Sequence, residues 1–173
     1  METLAPFLIN GLKNHQAYHV CSIVVGLIGD ISRSIEADIT NYCTEIMTAL
    51  VELLQDQVLH RSVKPPVFAC FGDIAMAIGG SFAPFLKMTL FMLSSASAID
   101  IPPDDEDLAD YLQTLREGIL EAYTGVIQGL KDGGRINLIE SKDVENMVML
   151  LEKIAADKAP DEEVVSKAVG LLG

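Results

Sequence analysis

The sequence has no tryptophan and few basic residues: 12 lysines and arginines stand against 25 aspartates and glutamates, a formal net charge of −13. Binding to nucleic acid depends on basic side chains that neutralise phosphates, so this balance argues against a nucleic-acid-binding protein. An acidic protein attracts basic partners instead. Because 50% of the residues are hydrophobic, the chain has enough apolar surface to fold as one ordinary domain rather than remain disordered.

Long uninterrupted apolar stretches are also missing. Asp30, Asp73 and Lys87 interrupt the most apolar segments before these reach the roughly 20 residues that a transmembrane helix needs. The first residues lack the basic and apolar parts of a secretory leader. We therefore expect neither a membrane span nor a secretory signal.

Cysteine is scarce as well. Cys21, Cys43 and Cys70 are widely separated, and each lies within an apolar helical pattern. No CxxC motif or Cys/His cluster accompanies them. An odd number of such isolated cysteines predicts buried, reduced thiols in a cytosolic or nuclear protein.

What the sequence does have is helical periodicity over nearly its whole length. Apolar residues recur three and four positions apart and hardly ever alternate, which predicts about eight helices and essentially no strands. The predicted helices are 4–13, 18–35, 40–54, 66–78, 83–98 and 108–130, with two more that open at Ser141 and Asp161. A turn rich in proline and acid, 102–107, precedes the longest of them. We predict an all-α protein.

Short strings recur along the chain. Gly29-Asp30-Ile31 returns as Gly72-Asp73-Ile74, 43 positions later. Two further matches lie close to two and three such periods apart: 4–8 with 82–86, and 24–29 with 168–173. HEAT and armadillo arrays repeat every 40 to 47 residues or so and contain two or three helices per repeat. The sequence therefore predicts an α-solenoid of HEAT repeats, a superhelix built from antiparallel helix pairs.

We expect this array to be a single unit that divides into four repeats at 1–37, 38–81, 82–134 and 135–173. The last repeat is expected to be truncated, because its final helix stops within an apolar run, and the chain to be a fragment of a longer solenoid. In the second repeat, Asp56 lies in the predicted turn and Arg61 at the start of the next helix. We expect these two residues to form the structural ion pair of a HEAT turn.

Residue groups typical of enzymes and metal sites are missing too. His15 and His19 have the spacing of two zinc ligands, but no third ligand lies nearby and His15 falls in a predicted turn. The glycine pairs at 79–80 and 133–134 follow no strand and lack the Lys-Ser/Thr of a phosphate-binding loop. No nucleophile signature is present. We expect no enzymatic activity, no metal and no cofactor.

The acidic residues form the most informative pattern. In a HEAT superhelix the second helices of the pairs line the concave surface, where their polar stripes would stack into an acidic groove. The predicted groove residues are Asp30, Asp73, Asp110, Glu117 and Glu121. Such a groove suits a basic helix or peptide. The alternative is that each carboxylate is only part of a solvated helix face.

Several strings are long enough to be specific: HRSVKP at 60–65, FGDIA at 71–75 and LEAYTG at 120–125, with others at 11–14, 25–27, 29–30, 77–80, 115–117 and 128–131. They are similar to the importin beta (karyopherin beta) family of nuclear import receptors. The similarity covers nearly the whole chain and weakens between 132 and 161. The chain resembles part of the C-terminal half of these receptors.

The resemblance implies a non-catalytic receptor that shuttles between cytoplasm and nucleus through the nuclear pore. Its concave face would bind the basic importin-beta-binding helix of importin alpha or of related cargo adaptors. Grooves between first helices would accept Phe-Gly nucleoporins, with Phe85, Leu86 and Leu90 as candidates unless they belong to the inter-repeat core. Ran GTPase would bind mainly through parts outside this chain. A HEAT scaffold of another class, such as a phosphatase regulatory subunit, is the alternative.

Overall fold

The computed structural model describes residues 3–99, 105–157 and 161–173, and these form eight α-helices. The helices are α1 (Ala5–Leu12), α2 (Tyr18–Ile35), α3 (Thr40–Gln55), α4 (Lys64–Ile78), α5 (Ala83–Ser97), α6 (Glu106–Asp132), α7 (Ser141–Ala155) and α8 (Glu162–Leu172). No strand occurs in the described ranges. Residues 102–104 of the predicted acidic turn lie outside them. Asp105 caps α6, because its carboxylate accepts a hydrogen bond from the Leu108 amide at 2.9 Å.

The helices pair in order along the chain and stack into two layers. Helix α1 packs on α2, α3 on α4, α5 on α6, and α7 on α8. The second helix of each pair also contacts the second helix of the next, so α2, α4, α6 and α8 form one continuous layer. In the other layer α1 contacts α3 and α5 contacts α7. This is the arrangement of a helical-repeat solenoid, in which each unit is stabilised mainly by its neighbours.

Two sharp corners lead from one helix pair to the next. Each corner is a 3₁₀ turn, Glu36–Ile39 or Gly79–Phe82, and each begins with a positive φ, 48° at Glu36 and 54° at Gly79. These two positions are 43 residues apart, which is the period of the Gly-Asp-Ile repeat. Ile39 and Phe82 end the turns and are fully buried. The period of 43 residues in the sequence therefore corresponds to a corner with the same backbone geometry at the end of α2 and of α4.

The closest packing in the fold lies between α4 and α6. Glycines on both helices let the two backbones touch: a Cβ atom added to Gly125 would lie 2.5 Å from the carbonyl oxygen of Gly72. Gly118 would meet the backbone of Pro65 in the same way, and Gly129 that of Ala75. This seam fixes the position of the second and third repeats relative to each other.

The segment Arg61–Ser97 has the length and apolar composition of a membrane span. In the fold it is not one helix, because the corner at Gly79–Phe82 divides it into α4 and α5. Helix α4 lies between α2 and α6, and most of its residues are buried there. The apolar composition of this segment is thus explained by its burial in the solenoid core, because a buried core helix can be as apolar as a membrane span.

All three cysteines are buried and unpaired, which confirms the prediction of buried thiols. Burial raises the pKa of Cys43 to about 11, because the thiolate would lose its hydration. These thiols are protonated at neutral pH and serve as packing groups.

The predicted turn pair of Asp56 with Arg61 is replaced by two contacts between repeats. The Asp56 carboxylate accepts a hydrogen bond from the Val58 amide at 2.9 Å and pairs with His15 in the preceding repeat. Arg61 points the other way: its guanidinium lies 5.5 Å from the ring centre of Tyr111, in the following repeat. The predicted ion pair does not form, because neighbouring turns stack on one another. Asp56 therefore pairs with His15 of the preceding repeat, and Arg61 packs on Tyr111 of the following one.

Candidate functional site

The layer of second helices carries a groove that crosses α2, α4, α6 and α8. The groove encloses about 410 Å³. Its lining combines small, polar and charged side chains: Arg33, Ala69, Gly72, Asp73, Met76, Glu121, Thr124, Gly125, Lys167 and Gly170. We call it the charged groove. One helix from each of the four pairs contributes to it, so a ligand that filled it would contact all four pairs.

At the α2–α4 side of the charged groove, Arg33 links two aspartates. Its Nη1 lies 2.6 Å from Oδ1 of Asp73 on α4, and its Nη2 lies 2.5 Å from Oδ1 of Asp30, one turn away on α2. The hydrogen bond to Asp73 is the main reason why the pKa of Arg33 is raised. Gly29 makes room for this contact, since a Cβ atom there would lie 2.5 Å from the Asp73 carboxylate. The glycine of the first Gly-Asp string thus allows α2 to approach the aspartate of the second string on α4 closely.

At the α6–α8 side, Lys167 lies among three carboxylates. Its Nζ is 2.9 Å from Glu117 and 3.2 Å from Glu121, both on α6, and 3.8 Å from Glu163 on α8. Burial acts to lower the pKa of Lys167, but the hydrogen bonds to Glu117 and Glu121 outweigh it and raise the pKa. Lys167 therefore stays charged at neutral pH and joins the third repeat to the fourth.

The predicted acidic residues fall into two groups in the structure. Asp30, Asp73, Glu117 and Glu121 gather at the charged groove, in contact with Arg33 or Lys167. Asp110 is exposed two helical turns before Glu117, and it forms no ion pair among the described residues. The carboxylates are thus part of a mixed-charge network rather than a bare acidic surface.

Sequence reasoning did not find the contact of Arg33 with Asp73, and it missed Lys167 altogether. One local signal for Lys167 was available. Glu163 and Lys167 are four residues apart, the spacing at which opposite charges pair on a helix. Nothing in the sequence indicates the contact of Lys167 with Glu117, which is 50 positions away.

The other layer contains smaller grooves between neighbouring first helices, and two of them contain the predicted Phe-Gly residues. The groove between α3 and α5 encloses about 240 Å³ and is lined by Met47, Thr48, Val51, Glu52, Pro84, Phe85 and Met88. The groove between α5 and α7 encloses about 270 Å³ and is lined by Leu86, Lys87, Leu90, Phe91, Ser94, Leu138, Glu140, Lys142, Asp143 and Asn146. The three predicted Phe-Gly residues therefore do not share one groove.

Exposure separates these candidates further. Leu86 and Leu90 are only 3% and 6% exposed, so both act chiefly as core residues beneath the α5–α7 groove. Phe85 is half-buried in the α3–α5 groove. Phe91, which sequence reasoning missed, is 67% exposed at the edge of the α5–α7 groove. A large exposed aromatic beside an apolar cleft is an available contact for a hydrophobic ligand.

The residue types that bind metals are dispersed over the described part of the fold. Among the residues that the structure describes, no group of three His, Cys, Asp or Glu side chains is close enough to hold a metal ion. His15 contacts Asp56, whereas the ring of His19 lies 3.9 Å from that of Tyr18. The two histidines of zinc-like spacing thus have separate partners.

Comparison with protein families and curated proteins gives one consistent result. The family profile described as "Importin subunit beta-1-like, TPR repeats" matches residues 1–173. Importin subunit beta-1 of Schizosaccharomyces pombe is 42% identical over 172 residues, which are 99% of this chain and 20% of that protein. Importin subunit beta-1 of Arabidopsis thaliana is 41% identical over 169 residues, 96% of this chain and 19% of that protein. The chain spans about a fifth of the length of these relatives.

Solved structures agree with the sequence comparison. Importin beta crystallised in an ammonium sulfate condition superposes with a TM-score of 0.94 at 36% identity, over 99% of this chain and 20% of that one. The chain titled Kap95 in a complex with Nup1 has a TM-score of 0.87 at 29% identity, again over 99% and 20%. Kap95p with RanGDP gives 0.89 at 29% identity over the same shares. The prediction of an all-α HEAT solenoid is confirmed.

Proposed function

This chain belongs to the importin beta-1 family, and from that premise we propose that it is a segment of a nuclear transport receptor that shuttles between cytoplasm and nucleus. Its relatives are transport receptors rather than enzymes. We propose the repeat boundaries 1–37, 38–81, 82–134 and 135–173, since each range contains one packed helix pair.

The proposed ligand of the charged groove is the basic importin-beta-binding helix of importin alpha or of a similar cargo adaptor. One observation carries this proposal: the groove and its edges hold five carboxylates, Asp30, Asp73, Glu117, Glu121 and Glu163, against the two cations Arg33 and Lys167. The surplus of negative charge extends over four successive helices. A basic helix laid along them would make many weak contacts, each worth a few tenths to about 1 kcal/mol.

The grooves between first helices support a second class of ligand. A structure similar to this chain is a complex of Kap95 with Nup1. We propose that the α3–α5 groove, beside Phe85, and the α5–α7 groove, beside Phe91, each accept a phenylalanine ring of a Phe-Gly nucleoporin. Full burial of one such ring contributes roughly 2 kcal/mol, so binding would be weak per site and would gain strength from repetition.

Ran is the remaining proposed partner. Kap95p in complex with RanGDP is among the similar structures, and we propose that Ran binding depends mainly on parts of the receptor outside this chain. The alternative from the sequence, a scaffold of another class such as a phosphatase regulatory subunit, is set aside because the chain belongs to the importin beta-1 family.

The test of the charged groove is a fluorescence-anisotropy titration of a labelled importin-beta-binding peptide at low and moderate salt. The variant Glu117→Gln/Glu121→Gln removes two carboxylates from α6 and frees Lys167. We expect affinity to fall about tenfold, because the peptide loses its ion pairs with these two carboxylates, each worth up to about 1 kcal/mol. Binding by the unchanged chain should also weaken as salt rises.

The matched control is Glu145→Gln/Glu152→Gln, which removes two exposed carboxylates from α7 in the other layer. Its affinity should stay within twofold of the unchanged chain. Equal losses in both variants would mean that net charge, not the charged groove, attracts the peptide. No binding at low salt would remove the peptide from the list of ligands for this segment.

A further inference from the structure

The cations of the charged groove come from the chain itself. Lys167 reaches from α8 to α6 and places its ammonium 2.9 Å from Glu117 and 3.2 Å from Glu121. A lysine or arginine of a basic ligand that approached both glutamates together would compete with Lys167 for this position. The ammonium of Lys167 therefore lies where we expect a basic side chain of the ligand to bind.

The contact of Lys167 with Glu117 is sheltered by the surrounding protein. The side chain of Lys167 is 28% exposed and that of Glu117 is 25% exposed. On the other side of the charged groove Asp73, which is 22% exposed, is held by Arg33, whose side chain is 50% exposed. A carboxylate that already has an internal cation at hydrogen-bond distance has little attraction left for a second one, because the two cations repel each other.

We infer that Lys167 and Arg33 are internal competitors, and that a basic ligand enters the charged groove by displacing Lys167 from Glu117 and Glu121 and Arg33 from Asp73. The inference rests on the proposed function, since it concerns how the proposed ligand is admitted. It assigns to both cations a role in specificity: a weakly basic peptide cannot replace them, whereas an arginine-rich helix offers several donors per side chain and can.

Displacement also has a structural consequence. The contact of Lys167 with α6 joins the third helix pair to the fourth, and that of Arg33 with Asp73 joins the first pair to the second. A ligand that takes over the carboxylates releases both links on the groove side of the layer. Ligand binding would then be coupled to the spacing of neighbouring helix pairs.

The test is Lys167→Met, titrated with the same labelled importin-beta-binding peptide. Methionine keeps an apolar stem of similar length while removing the charge, so the packing between α6 and α8 is largely retained. We expect affinity to increase threefold to tenfold and the dependence on salt to become steeper, because two glutamates become available. Lys167→Arg should stay within about twofold of the unchanged chain, since it restores the internal cation.

The matched control is Lys142→Met, which removes an exposed cation from α7 and gives the same net charge. Equal gains for Lys167→Met and Lys142→Met would overturn the inference, since only long-range charge would be involved. A loss of affinity in Lys167→Met with unchanged helical content would also overturn it and assign Lys167 to positioning the glutamates.

A second variant covers the case in which Lys167→Met does not fold. Arg33→Met acts at the α2–α4 side and should also raise affinity, because it exposes Asp73. The proposed function and this inference fail separately. Binding that Glu117→Gln/Glu121→Gln weakens but neither cation variant strengthens would retain the function and reject the competition. No binding by any variant at low salt would reject both.

Discussion

A single methyl group on Gly125 should separate the second and third repeats. In Gly125→Ala the new Cβ atom would lie 2.5 Å from the carbonyl oxygen of Gly72 and 2.6 Å from its Cα. Both are backbone atoms, so no side chain can rotate out of the way. Ordinary contact between such atoms needs roughly 3.5 Å or more, so α4 and α6 would have to move apart by about 1 Å.

The magnitude follows from two opposing effects. Alanine is intrinsically better than glycine within a helix by about 1 kcal/mol. Overpacking a tight interface costs about 1 to 3 kcal/mol and sometimes more, and here the displacement would also loosen the contacts of Gly118 with Pro65 along the same seam. We expect the free energy of unfolding to fall by about 2 kcal/mol.

The assay is urea unfolding followed by far-ultraviolet circular dichroism, with Gly26→Ala as the matched control. Gly26 lies on α2, is exposed and has nothing within 4 Å of its added Cβ atom. Its substitution should therefore raise stability by about 0.5 to 1 kcal/mol. The same substitution, glycine to alanine within a helix, would then raise the free energy of unfolding at Gly26 and lower it at Gly125. An unchanged or higher midpoint for Gly125→Ala would refute the argument that this seam is closed by backbone contact.

Two further predictions concern the corners and turns. Glu36→Gly should raise the free energy of unfolding by about 1 kcal/mol, because φ is 48° at this position and glycine adopts such a φ without strain. Gly79→Ala should lower the free energy of unfolding, because φ is 54° there. Thermal unfolding measures both changes. Asp56→Asn should lower stability at neutral pH and flatten its acid dependence. The Val58 amide and His15 lower the pKa of Asp56, so its stabilisation is present above the unfolded pKa of about 3.9 and is lost as pH falls through the folded pKa. An unchanged acid limb in urea titrations would contradict this.

The fold could be predicted because the signals that specify it are local. Helix α2 was predicted at its observed bounds, and α5 within one residue of them. Proline in the first turn of α5 and the capping aspartates before α6 and α8 mark helix starts by short-range geometry. The period of 43 residues then determined which helices are equivalent.

The partners of individual side chains could not be predicted in the same way. Asp56 was assigned to Arg61 because the two are close in sequence, yet stacking of the turns gave it His15. Lys167 was missed because Glu117 is 50 residues away. In a solenoid, neighbouring repeats supply most contacts, so a residue and its partner are often about one period apart. Sequence proximity is then a poor guide to pairing.

The two aspartates of the Gly-Asp-Ile repeat show how this affects the charged groove. Asp30 and Asp73 occupy equivalent positions and both contact Arg33, yet Asp73 is 22% exposed and Asp30 is 69% exposed. Asp73 lies on α4, which packs between α2 and α6. One period after Arg33 the sequence has Met76, so the link does not recur between α4 and α6. Glu121, which lines the groove together with Met76, forms its ion pair among the described residues with Lys167 of α8. Among the described residues, Arg33 and Lys167 thus act from the two sides of the charged groove, and Glu121 shares Lys167 with Glu117. A basic side chain that enters beside Met76 would therefore compete there with Lys167 alone.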